Sequence, residues 1–361
     1  MLNRSNSRTP RLMAAGSIAA IAALAFTGCS GSSGSDKVGV SLIVKTTTNP
    51  YFVAMEDAAK ADAAKAGVNL TLAAGKQDGD VATQVQAIEA SIARGDKGIL
   101  ITPNGPGVQN EIDKARKAGL FVIALDTVPT PPSSVDITFA TDNFIAGEDI
   151  GKWAAAQLDG KSADIAMLDL FNTQVVSVDL NRDQGFLKGM GITVPDSAKN
   201  GSEAKSGSYT GGKGGSYTIA GHQATNGDAA DGRTAMETIL AKDPNVNVVY
   251  TINEPAAYGA YQALKAAGKD KSTILVSIDG GCTGVGQVQS GIIGATSQQY
   301  PSKMASLGME AIVKLAKTGT KPKVTPGLDF YNTGSRLITQ TPVSGVTSIT
   351  PDQGSKICWG K

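Results

Sequence analysis

The stretch KVGVSLIVKTTTNPYF, residues 37–52, joins an apolar strand to the start of a helix. Its run of valine, leucine and isoleucine predicts a strand that is buried on both faces. Asn49 suits the N-cap of the helix, and Pro50 suits its first position, where a missing N–H costs nothing. Ligands of open α/β sheets bind beyond the carboxyl ends of the strands, so Tyr51 and Phe52 are predicted to face a pocket. Taken alone, the segment also fits a capped helix with a hydrophobic staple.

The N-terminal end of the chain is typical of an exported protein. Residues 1–28 contain three arginines, no acidic residue and an apolar, alanine-rich stretch, which predicts a signal peptide. The sequence Phe-Thr-Gly-Cys at its end resembles the bacterial lipobox, so Cys29 is a predicted lipidation site, with ordinary cleavage as the alternative. Residues 29–36 are predicted to be a Gly/Ser tether with no capacity to fold by itself. We expect a lipid-anchored protein on the outer face of the cytoplasmic membrane, or a periplasmic one.

The charge balance argues against a nucleic-acid partner. The chain has 33 basic and 32 acidic residues, and removal of a signal with three arginines leaves 30 against 32. A nucleic-acid-binding protein needs a basic surface, which this near-neutral balance does not supply. The length of 361 residues exceeds one typical core, so we expect two similar lobes. We expect the protein to be a monomer.

Cysteine and histidine are scarce in the exported part of the chain. Cys282 and Cys358 are the cysteines that remain after the lipidation site. In an oxidising compartment we expect them to form one disulfide, with two buried free thiols as the alternative. With a single histidine, His222, and no cysteine cluster, the sequence predicts no metal site and no cofactor.

Apolar strands and amphipathic helices alternate in two similar series, which cover residues 37–142 and 146–299. Short connections between alternating elements predict right-handed βαβ units and parallel sheets. Residues 194–216 are rich in Gly, Ser and Lys and lack periodicity, so we predict an exposed loop there.

Polar residues recur where the predicted strands end. They are Lys45, Asn49, Asn104, Asp126, Asn253, Glu254, Asp279 and Gln299. Each residue alone fits a turn or a helix cap, and Arg182 alone fits a solvated helix position. Together they would lie along one edge, so that two facing sheets direct them into one cleft. Carboxylates, amides, a guanidinium and aromatic faces suit a polyol such as a sugar.

Several motifs extend this interpretation to a known family. They are TNPYF (48–52), ALDT (124–127), NRDQGF (181–186), TNGDAADGRTAM (225–236), TINEPAAYGA (251–260), SIDGG (277–281) and GATSQQYP (294–301). With them the chain resembles the ribose-type, type I periplasmic sugar-binding proteins of ABC importers across residues 37–330. Within that family it is most similar to the fructose-binding branch.

The resemblance implies an α/β fold of two doubly wound parallel-sheet lobes joined by a three-strand hinge near residues 141, 300 and 326. The lobes would comprise residues 37–141 with 300–325, and residues 142–299 with 326–361. The ligand would be a monosaccharide, held in the cleft between the lobes, and the partner an ABC transporter permease.

The resemblance also implies a role for each site residue. Tyr51 and Phe52 would stack on the sugar, and Asn49 and Asp126 would hydrogen-bond it from the N-terminal lobe. The opposing residues would be Arg182, Asn253, Asp279 and Gln299.

Three positions depart from the ribose pattern. They are Lys45, Thr127 and Asn226. Lys45, the segment that contains Asn226 and the tail with both cysteines match the fructose-type branch, so a ketohexose is the expected ligand.

Other functions fit the sequence less well than sugar binding does. No G-x-G-x-x-G follows the first strand, and the glycine cluster at residues 280–286 lacks that spacing and is predicted to be a loop. Asp126 and Asp279 could form a glycosidase pair, but carboxylates that only hydrogen-bond a sugar look the same in sequence. A non-enzymatic role is expected. A sugar-responsive repressor is excluded, since a signal and tether occupy the place of its DNA-binding helices. A sensory sugar- or autoinducer-binding protein remains the alternative to import.

Overall fold

The computed structural model describes residues 37–360 of the chain. The predicted signal peptide, the lipidation site Cys29 and the tether up to residue 36 lie outside these residues.

Fourteen strands and ten helices, together with short 3₁₀ turns, make up the described part of the chain. The strands are β1 (Gly39–Val44), β2 (Asn69–Ala74), β3 (Gly98–Ile101), β4 (Phe121–Leu125), β5 (Ile137–Ala140), β6 (Ala163–Asp169), β7 (Ser206–Tyr209), β8 (Gly215–Ala224), β9 (Val248–Thr251), β10 (Ile274–Asp279), β11 (Ala295–Gln298), β12 (Tyr331–Asn332), β13 (Arg336–Thr339) and β14 (Ser348–Ile349). The helices are α1 (Pro50–Ala66), α2 (Val81–Arg94), α3 (Gln109–Lys117), α4 (Asn143–Leu158), α5 (Ser177–Met190), α6 (Ala229–Lys242), α7 (Glu254–Ala266), α8 (Cys282–Gln289), α9 (Pro301–Thr318) and α10 (Pro351–Gly354).

The strands form two sheets, one in each lobe. The N-terminal sheet has the order β12-β5-β4-β3-β1-β2, and all its neighbouring strands are parallel. The C-terminal sheet has the order β14-β13-β11-β10-β9-β6-β8-β7, with a parallel centre and antiparallel pairs only where β11 meets β13 and β7 meets β8. The prediction of two doubly wound, parallel-sheet lobes is confirmed.

The first strand is buried on both faces because helices cover each side of its sheet. Leu42 packs in a core with Met304 of α9, while Ile43 packs in a separate core with Ile112 of α3. All of these side chains are buried. Burial of one such side chain stabilises the fold by about 1.5–3 kcal/mol, and the continuous apolar run of β1 serves both cores at once. The carboxyl end of β1 is thereby held rigidly where the predicted pocket begins.

The chain passes between the lobes at three places. The first two follow β5 and β11, as expected near residues 141 and 300. The third lies between β12 and β13, later than the expected position near residue 326. The reason is that Tyr331 pairs beside Phe139 of β5 and its ring packs on that residue, with 5.4 Å between the ring centroids. Residues 326–332 therefore belong with the N-terminal lobe, and the predicted boundary is wrong there.

Two segments predicted as loops contain regular structure. Within residues 194–216, β7 pairs antiparallel with β8, and the side chain of Tyr209 is buried. Within the glycine cluster, helix α8 begins at Cys282 and buries Val285 and Val288. Its first turn is fixed by the carboxylate of Glu254, which accepts from the backbone N–H of the N-cap residue. Neither arrangement follows from periodicity, since partners distant in sequence supply the missing stabilisation.

Candidate functional site

Helices α4 and α5 place Arg182 at the centre of the interface between the lobes. The helices approach closely because glycines face each other: a Cβ atom on Gly147 would collide with the Arg182 carbonyl, and one on Gly185 with the Phe144 carbonyl. The Nε atom of Arg182 donates to Asn143 Oδ1 at 2.7 Å. Its Nη1 atom donates to a backbone carbonyl of the loop after β9, at 3.0 Å. The guanidinium is therefore held in one orientation.

Asp126 faces Arg182 from the N-terminal lobe and follows β4 directly. Its φ of 65° lies in the left-handed region, which aspartate tolerates better than most residues. The carboxylate accepts from the hydroxyls of Tyr51 at 3.1 Å and Thr127 at 3.0 Å. Lys45 Nζ and Arg182 Nη2 each lie 3.7 Å from it. Two cations, one from each lobe, thus share one carboxylate.

Aromatic rings form one wall of the site. The cap predicted for α1 is present, since Asn49 Oδ1 accepts from the Tyr51 N–H at 2.9 Å. The rings of Tyr51 and Phe52 are nearly perpendicular, with 5.3 Å between their centroids. Lys45 Nζ lies 5.9 Å from the Phe52 centroid, at the outer limit of a cation–π contact. Burial raises the pKa of the Tyr51 phenol well above its usual value, so this hydroxyl remains a donor.

The C-terminal lobe contributes a second carboxylate and two amides. Asp279 is the last residue of β10 and accepts from Gln299 Nε2 at 2.9 Å. Asn253 caps α7 through its Oδ1, and its Nδ2 donates to the Gly227 carbonyl at 3.0 Å. Burial raises the pKa of Asp279 to about 7, although Arg182 opposes the shift.

Nine of the predicted ligand-binding residues line one cavity between the lobes. They are Lys45, Asn49, Tyr51, Phe52, Asp126, Arg182, Asn253, Asp279 and Gln299. Its free volume is about 20 Å³, the room of about one water molecule, so in this conformation the side chains are drawn against one another. Thr127 lies behind Asp126, and Asn226 lies exposed at the mouth of the cleft, where its amide donates to Asp231. The structure does not bring these two residues into the cavity.

The sequence does not predict every residue of the site. Asp78, in the loop after β2, lines the cavity, and burial raises the pKa of its carboxyl to about 6. The same rule of polar residues after strand ends could have found it. Asn143 orients Arg182 from another helix, and nothing in the local sequence marks this role.

The sequence identifies Glu254 only as a polar residue at a strand end, yet its side chain holds the C-terminal wall of the cavity in place. Its carboxylate accepts from the N–H groups of Gly280 and Gly281 and from the Thr296 hydroxyl. Burial, with the nearby charge of Asp279, raises the pKa of Glu254 to about 8. This side chain fixes the loop that follows β10.

The predicted disulfide between Cys282 and Cys358 is present, with 4.9 Å between the Cα atoms. It holds the C-terminal tail against the site. The indole N–H of Trp359 donates to the Gln299 carbonyl at 2.9 Å, and its ring meets Tyr51 edge-on at 5.3 Å. The tail thus supports both the aromatic wall and the strand end that carries Gln299.

This arrangement of two facing α/β lobes is one that a family of binding proteins shares. Residues 40–321 match the family model of the periplasmic binding protein domain. The chain belongs to the periplasmic binding protein family. Among its relatives, the ribose import binding protein RbsB of Escherichia coli K12 is 27% identical over 279 residues, covering 77% of this chain and 84% of the relative. The galactofuranose-binding protein YtfQ of the same organism is 28% identical over 273 residues, covering 73% of this chain and 78% of the relative.

Solved structures show the same fold for this periplasmic binding protein. The crystal structure of a galactofuranose binding protein superposes with a TM-score of 0.71 at 24% identity and covers 88% of this chain and 96% of that one. These relatives are binding proteins, which agrees with the expectation of a non-enzymatic role. Within residues 37–360, no helix has the length and apolar character needed to cross a membrane.

Proposed function

We propose that this periplasmic binding protein captures a monosaccharide between its lobes and delivers it to the permease of an ABC transporter. The observation that supports this most directly is the pair Asp126 and Arg182. These groups come from different lobes, approach to 3.7 Å and lie beside a wall of aromatic rings. A sugar offers hydroxyls to both charges and C–H faces to the rings.

The names of the relatives support a neutral monosaccharide as the ligand. The relatives named above are described as binding ribose and galactofuranose, and another from Escherichia coli as binding D-allose. Two basic and three acidic side chains line the cavity, so their charges largely offset each other and leave donors and acceptors for an uncharged polyol.

The free volume of the cavity dictates how a sugar enters. Since about 20 Å³ is far less than a sugar ring needs, the lobes must separate at the three crossings before the ligand binds. Hydroxyls then replace the direct contacts of Asp126 with Arg182 and Lys45. Micromolar affinity corresponds to about −8 kcal/mol, and a hydrogen bond to a charged group contributes about 1.5–3 kcal/mol. Three or four such bonds, shielded from water by closure, are sufficient.

We infer that the sugar is a ketohexose, with fructose as the leading candidate. Lys45 is buried beside Asp126 and Phe52, where it adds a cationic donor at a position that is a small hydroxyl residue in the ribose pattern. The disulfide-bonded tail at Cys358 is the second feature that matches the fructose-type branch. Thr127 and Asn226 do not line the cavity and carry no part of this inference.

The proposal extends to where the protein works. We propose that the signal is cleaved before Cys29, that this cysteine carries lipid and that residues 30–36 tether a monomeric binding domain beside its permease. Mass spectrometry of the protein extracted from membranes tests the anchor, since lipidation adds acyl chains to the N-terminal peptide.

The function is tested by a thermal-shift screen of residues 37–361 against pentoses, aldohexoses and ketohexoses. A ligand that binds only the native state raises the melting temperature. At 100 times its Kd, such a ligand adds about 2.7 kcal/mol to the free energy of unfolding. Fructose is expected to give the largest rise, and Asp126→Asn should reduce it. A response to ribose alone would refute the ketohexose inference. No response to any monosaccharide would refute the proposed function.

A further inference from the structure

A second group of ionisable side chains lies in the C-terminal lobe and does not line the cavity between the lobes. It consists of Asp169 at the end of β6, Asp183 on α5, His222 on β8 and Glu203 in the segment before β7. One ligand atom from each of the first three residues lies within 4.8 Å of the others. The proposed sugar-binding function uses none of these groups.

The two nitrogens of the imidazole face different carboxylates. His222 Nδ1 lies 2.7 Å from Asp169 Oδ2 and 3.8 Å from Asp183 Oδ2. His222 Nε2 lies 2.7 Å from Glu203 Oε1. One nitrogen therefore faces two carboxylates, while the other has a single hydrogen-bond partner.

The buried carboxylate of Asp183 is the feature that points to a ligand. Its side chain is 0% exposed, and neither carboxylate oxygen has a hydrogen-bond partner among residues 37–360. Asp169 is also buried, and its second oxygen is likewise without a partner there. Burial of a charged group is costly unless it is paired or coordinates a metal. Hydrogen bonds among the described residues therefore leave these three oxygens of Asp169 and Asp183 without a partner.

We propose that Asp169, Asp183 and His222 bind a divalent transition-metal ion, for which Zn²⁺ is the representative. His222 would coordinate through Nδ1, while its Nε2–H donates to Glu203. A carboxylate that orients a ligating histidine in this way is the usual outer-shell arrangement of metal sites. One imidazole with two carboxylates is a donor set that zinc accepts, with solvent in the remaining position.

The ligand atoms are close to the spacing that coordination needs. Atoms bound tetrahedrally to zinc at about 2.0–2.2 Å lie about 3.4 Å apart. His222 Nδ1 lies 2.7 Å from Asp169 Oδ2 and 3.8 Å from Asp183 Oδ2, and all three ligand atoms lie within 4.8 Å, so side-chain rotations that move these atoms by about 1 Å would form the site. The side chain of His222 is 23% exposed, which leaves an entry path from solvent.

A proton is the competing occupant. With a proton on each nitrogen, Nδ1–H would donate to Asp169 and Nε2–H to Glu203, and both hydrogen bonds would stabilise the imidazolium. A metal ion at Nδ1 would replace that proton and satisfy Asp183 as well, which an imidazolium 3.8 Å away does not. The ion would join β6, α5 and β8, and α5 also carries Arg182 of the cavity.

The test uses the full chain, purified without a histidine tag and treated with a chelator. Calorimetry with Zn²⁺ is expected to show one equivalent bound, and Co²⁺ should give a visible absorption band. Asp183→Asn and His222→Gln should abolish both signals. Glu203→Gln should weaken Zn²⁺ binding about 10–100-fold. Asp164→Asn, at the other end of β6, is the matched control and should bind as the unchanged protein does.

Because His222 is the only histidine in the chain, the imidazole ¹⁵N resonances of the unchanged protein report this site, so this measurement does not depend on a variant that folds. Zn²⁺ is expected to shift Nδ1 strongly and Nε2 weakly. The proposal is overturned if no Zn²⁺ equivalent binds, if these resonances do not respond, or if Asp183→Asn binds unchanged. Preference for Ca²⁺ over Zn²⁺ would also overturn it. Fructose binding is measured in parallel, since loss of sugar binding alone would concern the other site.

Discussion

Replacing Asp126 by asparagine removes one negative charge from the centre of the cavity and hardly changes the size of the side chain. The backbone φ of 65° suits asparagine as well as aspartate. The amide can still accept from Tyr51 through its oxygen, whereas Lys45 and Arg182, each 3.7 Å away, lose their shared counter-charge. The substitution therefore tests the charge rather than the shape of the site.

The magnitude follows from the hydrogen bonds that the carboxylate would form with a sugar. A hydrogen bond to a charged group contributes about 1.5–3 kcal/mol, and a neutral one about 0.5–1.5 kcal/mol. If two hydroxyls donate to Asp126, the variant loses about 2–3 kcal/mol. Since 1.4 kcal/mol is a factor of ten, Kd should rise about 30-fold to 140-fold.

Isothermal titration calorimetry with the sugar identified by the screen measures this change. Asp136→Asn is the matched control, because Asp136 is also an N-terminal-lobe carboxylate paired with an arginine, yet it lies outside the cavity. Its affinity should be unchanged. A rise in Kd of less than about 3-fold for Asp126→Asn, in a variant that melts cooperatively, would refute the placement of Asp126 against the sugar.

Three further changes test the supporting structure. Gly185→Ala forces α4 and α5 apart and should destabilise the protein by about 1–3 kcal/mol in urea unfolding. Gly286→Ala is the control, because a Cβ there meets nothing within 4 Å, and it should not destabilise the protein in this way. Equal stabilities of the two variants would contradict the close packing of the helices. The pKa of Glu254 is raised to about 8 in the native state, so this residue stabilises the protein fully below pH 4.5, and the stabilisation is lost as the pH rises through 8. Glu254→Gln should therefore flatten the decline of the melting temperature between pH 5 and 8. An unchanged slope would refute this explanation. Cys358→Ser should cost about 2–4 kcal/mol, and a reductant should then have no further effect on stability.

The strand-end residues show how much of the site the sequence predicts. Asp126 and Asp279 follow apolar runs that can only be buried parallel strands, and the carboxyl ends of such strands meet at one edge. Their convergence thus follows from the alternation of elements. The pairing of the cysteines was likewise accessible, since two remained in an exported chain.

What the sequence does not predict depends on contacts between distant segments. Thr127 adjoins a site residue, yet its side chain turns behind Asp126, and Asn226 lies at the cleft mouth in a turn with φ of 49°. The orientation of Arg182 by Asn143 depends on how closely two helices cross, which glycines permit but do not specify. The third crossing was placed too early because the short strand β12 has too few residues to show a pattern.

The disulfide-bonded tail carries an intrinsic fluorescent probe of lobe movement. Cys358 is bonded to α8 of the C-terminal lobe, while the adjacent Trp359 lies against Tyr51 of the N-terminal lobe. The chain has two tryptophans, and the other, Trp153, is buried in the C-terminal core, where movement of the lobes leaves its surroundings unchanged. Separation of the lobes would draw the Trp359 indole away from Tyr51 towards solvent. Unlabelled protein would thus report each opening and closing of the cleft through its own fluorescence.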